Sequence, residues 1–358
     1  MATIPASGAI TFSAIQSEFG GSNPISLTEY YSGSLSPVPQ DGTVPASGAI
    51  RVGNFAGARA AKGFWGNATN LIYALNMNTE TISTIAITGL HQRNGVNSST
   101  KLYGIQTSST TAVSSINFTT ETFTQLTVTS NPGAASGGVG TACNSSTTGY
   151  AYFDQQNANS VPTLPTNKTN VVKFTFSSEA FSVAGSTTGC LFVNYGSSQS
   201  STKGYTGGYA FWTGDLFNPI DNVVNSIMGL TFSSDTASSI GKTLPGTTRS
   251  NTGSGNSTLK SYFYGGATGI QSSTAQSTVT AMPFATETPA NLGTSLTTAF
   301  GNQAAGMAIC SGTKNYFSAP SNAGSGWNTL AYSTETIASF SGPVQLDRSC
   351  GQPYSIMP

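Results

Sequence analysis

Beyond about residue 60, apolar side chains alternate with Ser, Thr and Asn in short runs broken by small polar clusters. This is the period-two pattern of half-buried β-strands. One arrangement recurs six times: an alternating run, a polar turn around a single acid, and a second alternating run. The copies read NMNTETIST from Asn76, NFTTETFTQ from Asn117, TFSSEAFSV from Thr175, TFSSDTASS from Thr231, PFATETPAN from Pro283 and AYSTETIAS from Ala331. Their acids, Glu80, Glu121, Glu179, Asp235, Glu287 and Glu335, lie 41 to 58 residues apart. A strand-rich repeat of roughly 50 residues predicts the blades of a β-propeller, each a small sheet that cannot bury its own faces alone.

Each unit also carries an aromatic strand: GFWGNA (Gly63–Ala68), LYGIQT (Leu102–Thr107), GYAYFD (Gly149–Asp154), GYAFWT (Gly208–Thr213), YFYGGA (Tyr262–Ala267) and NYFSAP (Asn315–Pro320). Small-residue stretches such as SGGVGTAC (Ser136–Cys143) and NQAAGMAIC (Asn302–Cys310) precede it and suit an innermost strand, where backbones converge. Unit one has no such stretch of its own, and the tail Gly342–Pro358 resembles an inner strand without a blade. The expected fold is therefore an all-β, six-bladed propeller over residues 59–358, closed by the C-terminal strand. A double β-sandwich is the other architecture these strands would allow.

Residues 1–58 follow a different pattern. The phrase ATIPASGAITF from Ala2 returns as GTVPASGAIRV from Gly42. Between the copies, Ser13 to Gln16 and Ser26 to Glu29 have capping-box spacing, with Gly20 and Gly33 placed to end two brief helices. Helices that short need a surface to lie on. Two readings fit: an arm packed on its own propeller, or a docking arm ordered by a partner. The doubled phrase favours docking, through Ile4, Pro5, Phe12, Phe19, Tyr30, Val44, Pro45 and Phe55.

Only 7% of the 358 residues are charged, with 13 basic balancing 13 acidic. Nucleic-acid binding is excluded as an expectation, since phosphate recognition needs clustered Lys and Arg. No run reaches the ~18 apolar residues of a membrane span. The N-terminus has neither the basic nor the apolar segment of a secretory signal, so synthesis in a cytoplasm without export by the usual route is expected. The Asn-X-Ser/Thr triplets at Asn67, Asn97, Asn117, Asn144, Asn167 and Asn256 read as chance in so polar a chain.

Candidate chemistry is sparse. The turn acids read as structural, capping backbone amides of their hairpins. The single histidine, His91, has no ligand partners at metal spacing, and no hydrolase or nucleotide-binding phrase occurs. Asp215 and Asp221 fall in one segment without the spacing of a calcium loop. No cofactor, metal or catalytic residue is expected. Cys143, Cys190, Cys310 and Cys350 sit in the inner-strand stretches and read as buried thiols, with pairing between neighbouring blades as the alternative.

The run IPASGAITFSAIQSEFGGSNPISLTEYYSG (Ile4–Gly33), echoed by VPASGAIRVGNFAGA (Val44–Ala58), resembles N-terminal segments of structural proteins of tailed bacteriophages. The rest is similar to kelch-type propellers attached to virion proteins, with Tyr262-Phe263-Tyr264-Gly265-Gly266 nearest to the kelch phrase. The resemblance implies a non-enzymatic virion protein, made in the host cytoplasm and present in multiple copies. Its arm would attach to a tail, baseplate or capsid platform, and its propeller would meet a host surface glycan or protein. The expected ligand loops are Gln155–Asn170 and Gly196–Gly207, with Tyr195 and Tyr205 as aromatic contacts. A purely architectural cement protein is one alternative. A depolymerase using carboxylates among Asp154, Asp215, Asp221 and Asp347 is another.

Overall fold

The computed structural model describes residues 4, 8–30, 48–55, 62–66, 71–77, 79–86, 94–105, 112–118, 120–128, 139–154, 168–188, 197–215, 218–246, 253–266, 275–300, 307–318 and 327–341. They form a six-bladed β-propeller preceded by a segment with one α-helix. Blade one holds β1 (Lys62–Gly66), β2 (Leu71–Asn76) and β3 (Thr81–Ala86). Blade two holds β4 (Asn94–Asn97), β5 (Lys101–Ile105), β6 (Ala112–Asn117) and β7 (Phe123–Thr127). Blade three holds β8 (Val139–Asn144), β9 (Thr148–Asp154), β10 (Lys168–Thr175) and β11 (Ala180–Thr188). Blade four holds β12 (Ser197–Gln199), β13 (Lys203–Asp215), β14 (Asn218–Thr231) and β15 (Thr236–Thr243). Blade five holds β16 (Gly253–Asn256), β17 (Lys260–Tyr264), β18 (Gln276–Pro283) and β19 (Ala290–Phe300). Blade six holds β20 (Met307–Cys310), β21 (Lys314–Ser318), β22 (Trp327–Ala331) and β23 (Thr336–Phe340).

Within every blade the strands pair in sequence order, all antiparallel. The first strands touch one another around the ring and so lie innermost. Two differences from the expected layout appear. The tail proposed to complete blade one lies outside the described residues, and blade one is described with three strands. In blade four the aromatic strand starts at Lys203 rather than Gly208, so Tyr205 occupies the aromatic position and Gly208–Thr213 is the continuation of the same long strand.

No blade owns its core. Each of six apolar clusters draws side chains from two neighbours. Between blades two and three, Val96, Tyr103 and Ile105 pack on Ala151, Val172, Phe174 and Phe176. The sixth joins Ile309, Tyr316 and Trp327 of blade six to Leu75 and Met77 of blade one, closing the ring through side chains. Removing such large aromatic and aliphatic side chains from water drives the closure.

The glycine before the aromatic position has a steric reason at three junctions. A Cβ on Gly149 would stand 2.7 Å from Cβ of Val96 on the previous blade's inner strand. Gly204 meets Cys143 in the same way, and Gly63 meets Ile309. One blade's inner-strand side chain thus fills the notch left by the next blade's missing Cβ.

The N-terminal segment has a core of its own. Helix α1 (Phe12–Phe19) is capped by the Thr11 hydroxyl, which accepts from Ala14 N at 3.1 Å, two residues earlier than the Ser13 expected, and it ends at Gly20 with φ 76°. The second signal forms a 3-10 helix, Leu27–Tyr30, in which Glu29 accepts from Ser26 N at 3.1 Å, the return bond of the capping box. A further 3-10 helix, Val52–Phe55, was not anticipated. Phe19, Tyr30 and Phe55 meet edge to face at 5.5–6.1 Å, and Ile4 and Ile15 are buried with them. Gly8 and Gly48, at the same place in the two PASGAI copies, take φ 98° and 88°. Ile10 and Ile50, two residues beyond each, both lean on this core.

Candidate functional site

The repeated acids stand at one end of the ring, which in blades two to six also carries the turn joining the first and second strand. The two turns of a blade are stitched together there: Phe118 N donates to Thr100 O at 3.0 Å, Phe176 N to Thr147 O at 3.1 Å, and Tyr332 N to Thr313 O at 2.9 Å. We call this the hairpin end.

All six acids have left-handed backbones, φ 49–54°. A turn alone would be better served by Gly or Asn, because a long side chain is disfavoured at positive φ. The reason for the acid lies on the neighbouring blade. Lys62 pairs with Glu121, Lys101 with Glu179, Lys173 with Asp235, Lys203 with Glu287, Lys260 with Glu335 and Lys314 with Glu80, at 2.5–2.8 Å. Each lysine belongs to one blade and each acid to the next, so the pairs form a belt. Lys314 and Glu80 complete it across the junction of blades six and one. The expected role, a carboxylate capping its own hairpin, is corrected accordingly: the carboxylate bridges blades while the backbone makes the turn.

A tyrosine two residues after the lysine adds a second donor at most junctions. Tyr103 donates to Glu179 at 3.0 Å, Tyr205 to Glu287 at 2.9 Å, Tyr262 to Glu335 at 3.1 Å and Tyr316 to Glu80 at 2.9 Å. In these four the lysine and tyrosine share one oxygen, Oε1. Three of these tyrosine rings also stack on the residue three before the acid, Tyr103 on Phe176 (5.5 Å, 6°), Tyr205 on Phe284 (5.6 Å, 13°) and Tyr262 on Tyr332 (5.7 Å, 8°). At the first junction Phe64 replaces the tyrosine and stacks on Phe118 at 5.7 Å.

The third junction is built differently. Thr148 stands where the other blades have lysine, and Lys173 reaches over from the adjacent strand, opposite Tyr150 in the register. The acid there is the one aspartate. It accepts from Lys173 on Oδ2 at 2.7 Å and from Tyr150 on Oδ1 at 2.6 Å.

Burial works to raise the carboxyls of Glu287, Asp235 and Glu121, but the bonds from Lys203, Lys173 and Lys62, helped by Tyr205 and Tyr150 at the first two, outweigh it and hold all three below their usual range. Burial pushes the Tyr103, Tyr205, Tyr262 and Tyr316 hydroxyls upward, and the neighbouring carboxylates add to this. All four therefore stay donors at physiological pH.

A second series of bonds, joining blades three to six, lies nearer the axis. Asn144 N donates to Gln199 Oε1 at 2.7 Å, Gln199 N to Asn256 Oδ1 at 3.3 Å, and Asn256 N to Cys310 Sγ at 3.3 Å. The following serine builds the turn: Ser98 Oγ accepts from Lys101 N at 3.0 Å, Ser200 Oγ from Lys203 N at 3.0 Å and Ser311 Oγ from Lys314 N at 2.8 Å. Asn97, Asn144 and Asn256 therefore belong to a repeated element and are not scattered glycosylation triplets.

The remaining expected sites fall as follows. Tyr205 is buried in the belt, and in Gly196–Gly207 an exposed turn at Ser201 and Thr202 joins strand β12 to the start of β13. Tyr195 and most of Gln155–Asn170 lie outside the described residues. In the arm, Ile4, Phe19, Tyr30 and Phe55 are buried in its internal core, while Phe12 is 47% exposed. Pro5, Val44, Pro45, His91, Cys190, Cys350 and Asp347 lie outside the described residues. Cys143 and Cys310 are free and buried, and burial pushes their thiols up to about 12 and about 11. Among the described residues no group of three or more His, Cys, Asp or Glu could hold a metal, and no helix is long and apolar enough to cross a membrane.

The lysines, tyrosines and stacked aromatics were missed in the sequence, although a signal existed. The phrase Ser-x-x-Lys-x-Tyr occurs at Ser98, Ser200, Ser257 and Ser311, with a Thr variant at Ser145. No family model matches the sequence, and no curated protein does.

Proposed function

We propose that this chain is a non-enzymatic appendage protein of a bacteriophage particle, anchored by residues 1–58 and displaying its propeller toward a host surface glycan or protein. The observation that carries the reading is the division of the molecule into two separately cored parts. The arm folds around Phe19, Tyr30 and Phe55, and the described bond joining it to blade one runs from Asn76 Nδ2 to the Glu18 carbonyl at 2.9 Å. A compact plug beside a rigid ring suits attachment at one part and recognition at the other. Display of many copies on one particle would let weak individual contacts suffice. The PASGAI phrases support the phage assignment by their resemblance to virion proteins.

The test is cryo-electron microscopy of purified particles carrying the chain. An arm seated against a tail, baseplate or capsid protein, with the propeller pointing outward, is expected. A propeller enclosed by neighbours at both ends would make it an architectural cement protein. Absence of the chain from particles would overturn the reading.

One observation favours a second reading. Asp154 ends β9, Asp215 ends β13 and Asp221 lies early in β14, so their backbones share the end opposite the hairpin turns on blades three and four. A depolymerase would place its two carboxylates there. Loss of polysaccharide cleavage in Asp154→Asn and Asp215→Asn would establish it, and no cleavage by the unaltered chain would remove it.

A further inference from the structure

Two junctions open at the hairpin end into clefts that the belt leaves unfilled. One, of about 580 Å³, lies between blades two and three and is walled by Ser99, Lys101, Tyr103, Ser146, Phe176 and Glu179. The other, of about 610 Å³, is walled by Ser201, Lys203, Tyr205, Thr258, Phe284 and Glu287 of blades four and five and runs on to Ser146 of blade three and Ser311 of blade six. Position for position, the residues from blades four and five are the same places in the repeat as those of the first cleft. The clefts are therefore a product of the repeat and not accidents of one loop, and each has room for one or two sugar rings.

The chemistry of the walls selects the ligand. In both clefts the lysine and tyrosine donate to Oε1 of the glutamate, and no described bond uses Oε2. The carboxylate side chains are 29% and 25% exposed, and both lysines are 33% exposed. An incoming cation meets the ammonium, and an incoming anion meets the carboxylate, so either charge is opposed. A neutral ligand bearing several hydroxyls meets neither objection. It can donate to Oε2, accept from the spare protons of Nζ, and exchange bonds with Ser99 and Ser146 or with Ser201 and Thr258, all exposed. Phe176 and Phe284 line the clefts with apolar surface against which C–H groups of a sugar ring can lie.

We infer that the two clefts are equivalent binding sites for a neutral saccharide, one between blades two and three and one between blades four and five. The inference rests on reading the propeller as an attachment module, and it places recognition at the hairpin end. Two sites on one rigid ring favour a repeating glycan, because the second contact becomes intramolecular once the first has formed.

The test uses the full chain in native mass spectrometry and calorimetric titration against neutral gluco-, galacto- and manno-trisaccharides, with sialylated and sulfated trisaccharides alongside. At least one neutral trisaccharide should bind with a stoichiometry of two. Glu179→Gln and Glu287→Gln should each remove one site, and the double variant both, with at least tenfold weaker binding and, because each also loses a belt ion pair, a lower melting temperature. Ser99→Lys with Ser201→Lys fills both clefts without touching the belt and should abolish binding as well. Binding of charged sugars alone, stoichiometry unchanged by these variants, or no saccharide binding at all would each overturn the inference. If no sugar binds but the chain still attaches to host cells, the attachment reading survives with another surface, whereas absence of the chain from particles removes that reading whatever the titrations give.

Discussion

The notch at Gly149 offers a quantitative test of how one blade is keyed to the next. In Gly149→Ala the new methyl would stand 2.7 Å from Cβ of Val96, which is 1% exposed and has no free side to move into. Overpacking of this kind costs about 1–3 kcal/mol. Val96→Ala deletes two buried methyl groups, a loss of about 1.6 kcal/mol from transfer alone and about 2–3 kcal/mol with the cavity. In the double variant the added methyl enters the space that the valine vacates. Its cost should be lower than the sum of the single costs by at least about 1 kcal/mol, a coupling typical of residues in contact. The assay is a double-mutant cycle by denaturant unfolding, read by the fluorescence of the chain's three tryptophans, of which Trp327 is buried at the junction of blades six and one. Single costs that add to within about 0.5 kcal/mol would refute the keyed-notch account.

Other consequences can be checked separately. Tyr205→Phe removes a hydroxyl donor to an ionised carboxylate while keeping the stack on Phe284, and should lower stability by about 1–2 kcal/mol; no change in the unfolding midpoint would mean that Lys203 alone satisfies Glu287. Because the folded carboxyls of Glu121, Asp235 and Glu287 lie below their ordinary values of 4.5, 3.8 and 4.5, their contribution is complete above those values and is lost as pH falls through the lower folded ones. Melting temperature should thus hold steady from pH 7 to about 5 and then decline; a decline already complete by pH 5 would contradict the belt. Cys143 and Cys310 should resist a thiol reagent at pH 8 in the folded chain and react once it is unfolded, as their raised values and burial require. Phe55→Ala should open the arm to protease near α1, with the propeller's melting transition unchanged, and a simultaneous loss of the propeller would show that the two cores fold as one.

The repeat was legible because an acid turn is a local object, written in nine consecutive residues. Its purpose was not, because the partner lysines lie 59 to 84 residues away along the chain and, for Lys314 and Glu80, 234. Alternation told strand from turn, yet it could not choose between Gly204-Tyr205 and Gly208-Tyr209 as the start of the aromatic strand in blade four. The choice depends on which glycine faces Cys143 of the previous blade, a contact between blades. Tyr205 looked like a surface aromatic beside a polar run for the same reason. In the arm, Phe19, Tyr30 and Phe55 were read as contacts awaiting a partner because three short helical turns give little hint that distant aromatics meet. The first cleft had no signal of its own, whereas the second is walled in part by Ser201, Lys203 and Tyr205 of the Gly196–Gly207 segment read as a ligand loop.

The belt runs in one sense around the ring, each blade handing a cation forward to the next. Five junctions use interchangeable ends, a lysine at the start of the second strand and a glutamate in the turn, so a blade could be duplicated or lost among them and still find its complement. The junction between blades three and four uses Lys173 and Asp235 instead, and its two halves fit each other and no other blade. In a ring of near-identical parts, that pair fixes which blade follows which, and it supplies a reference mark from which the order of all the others is set.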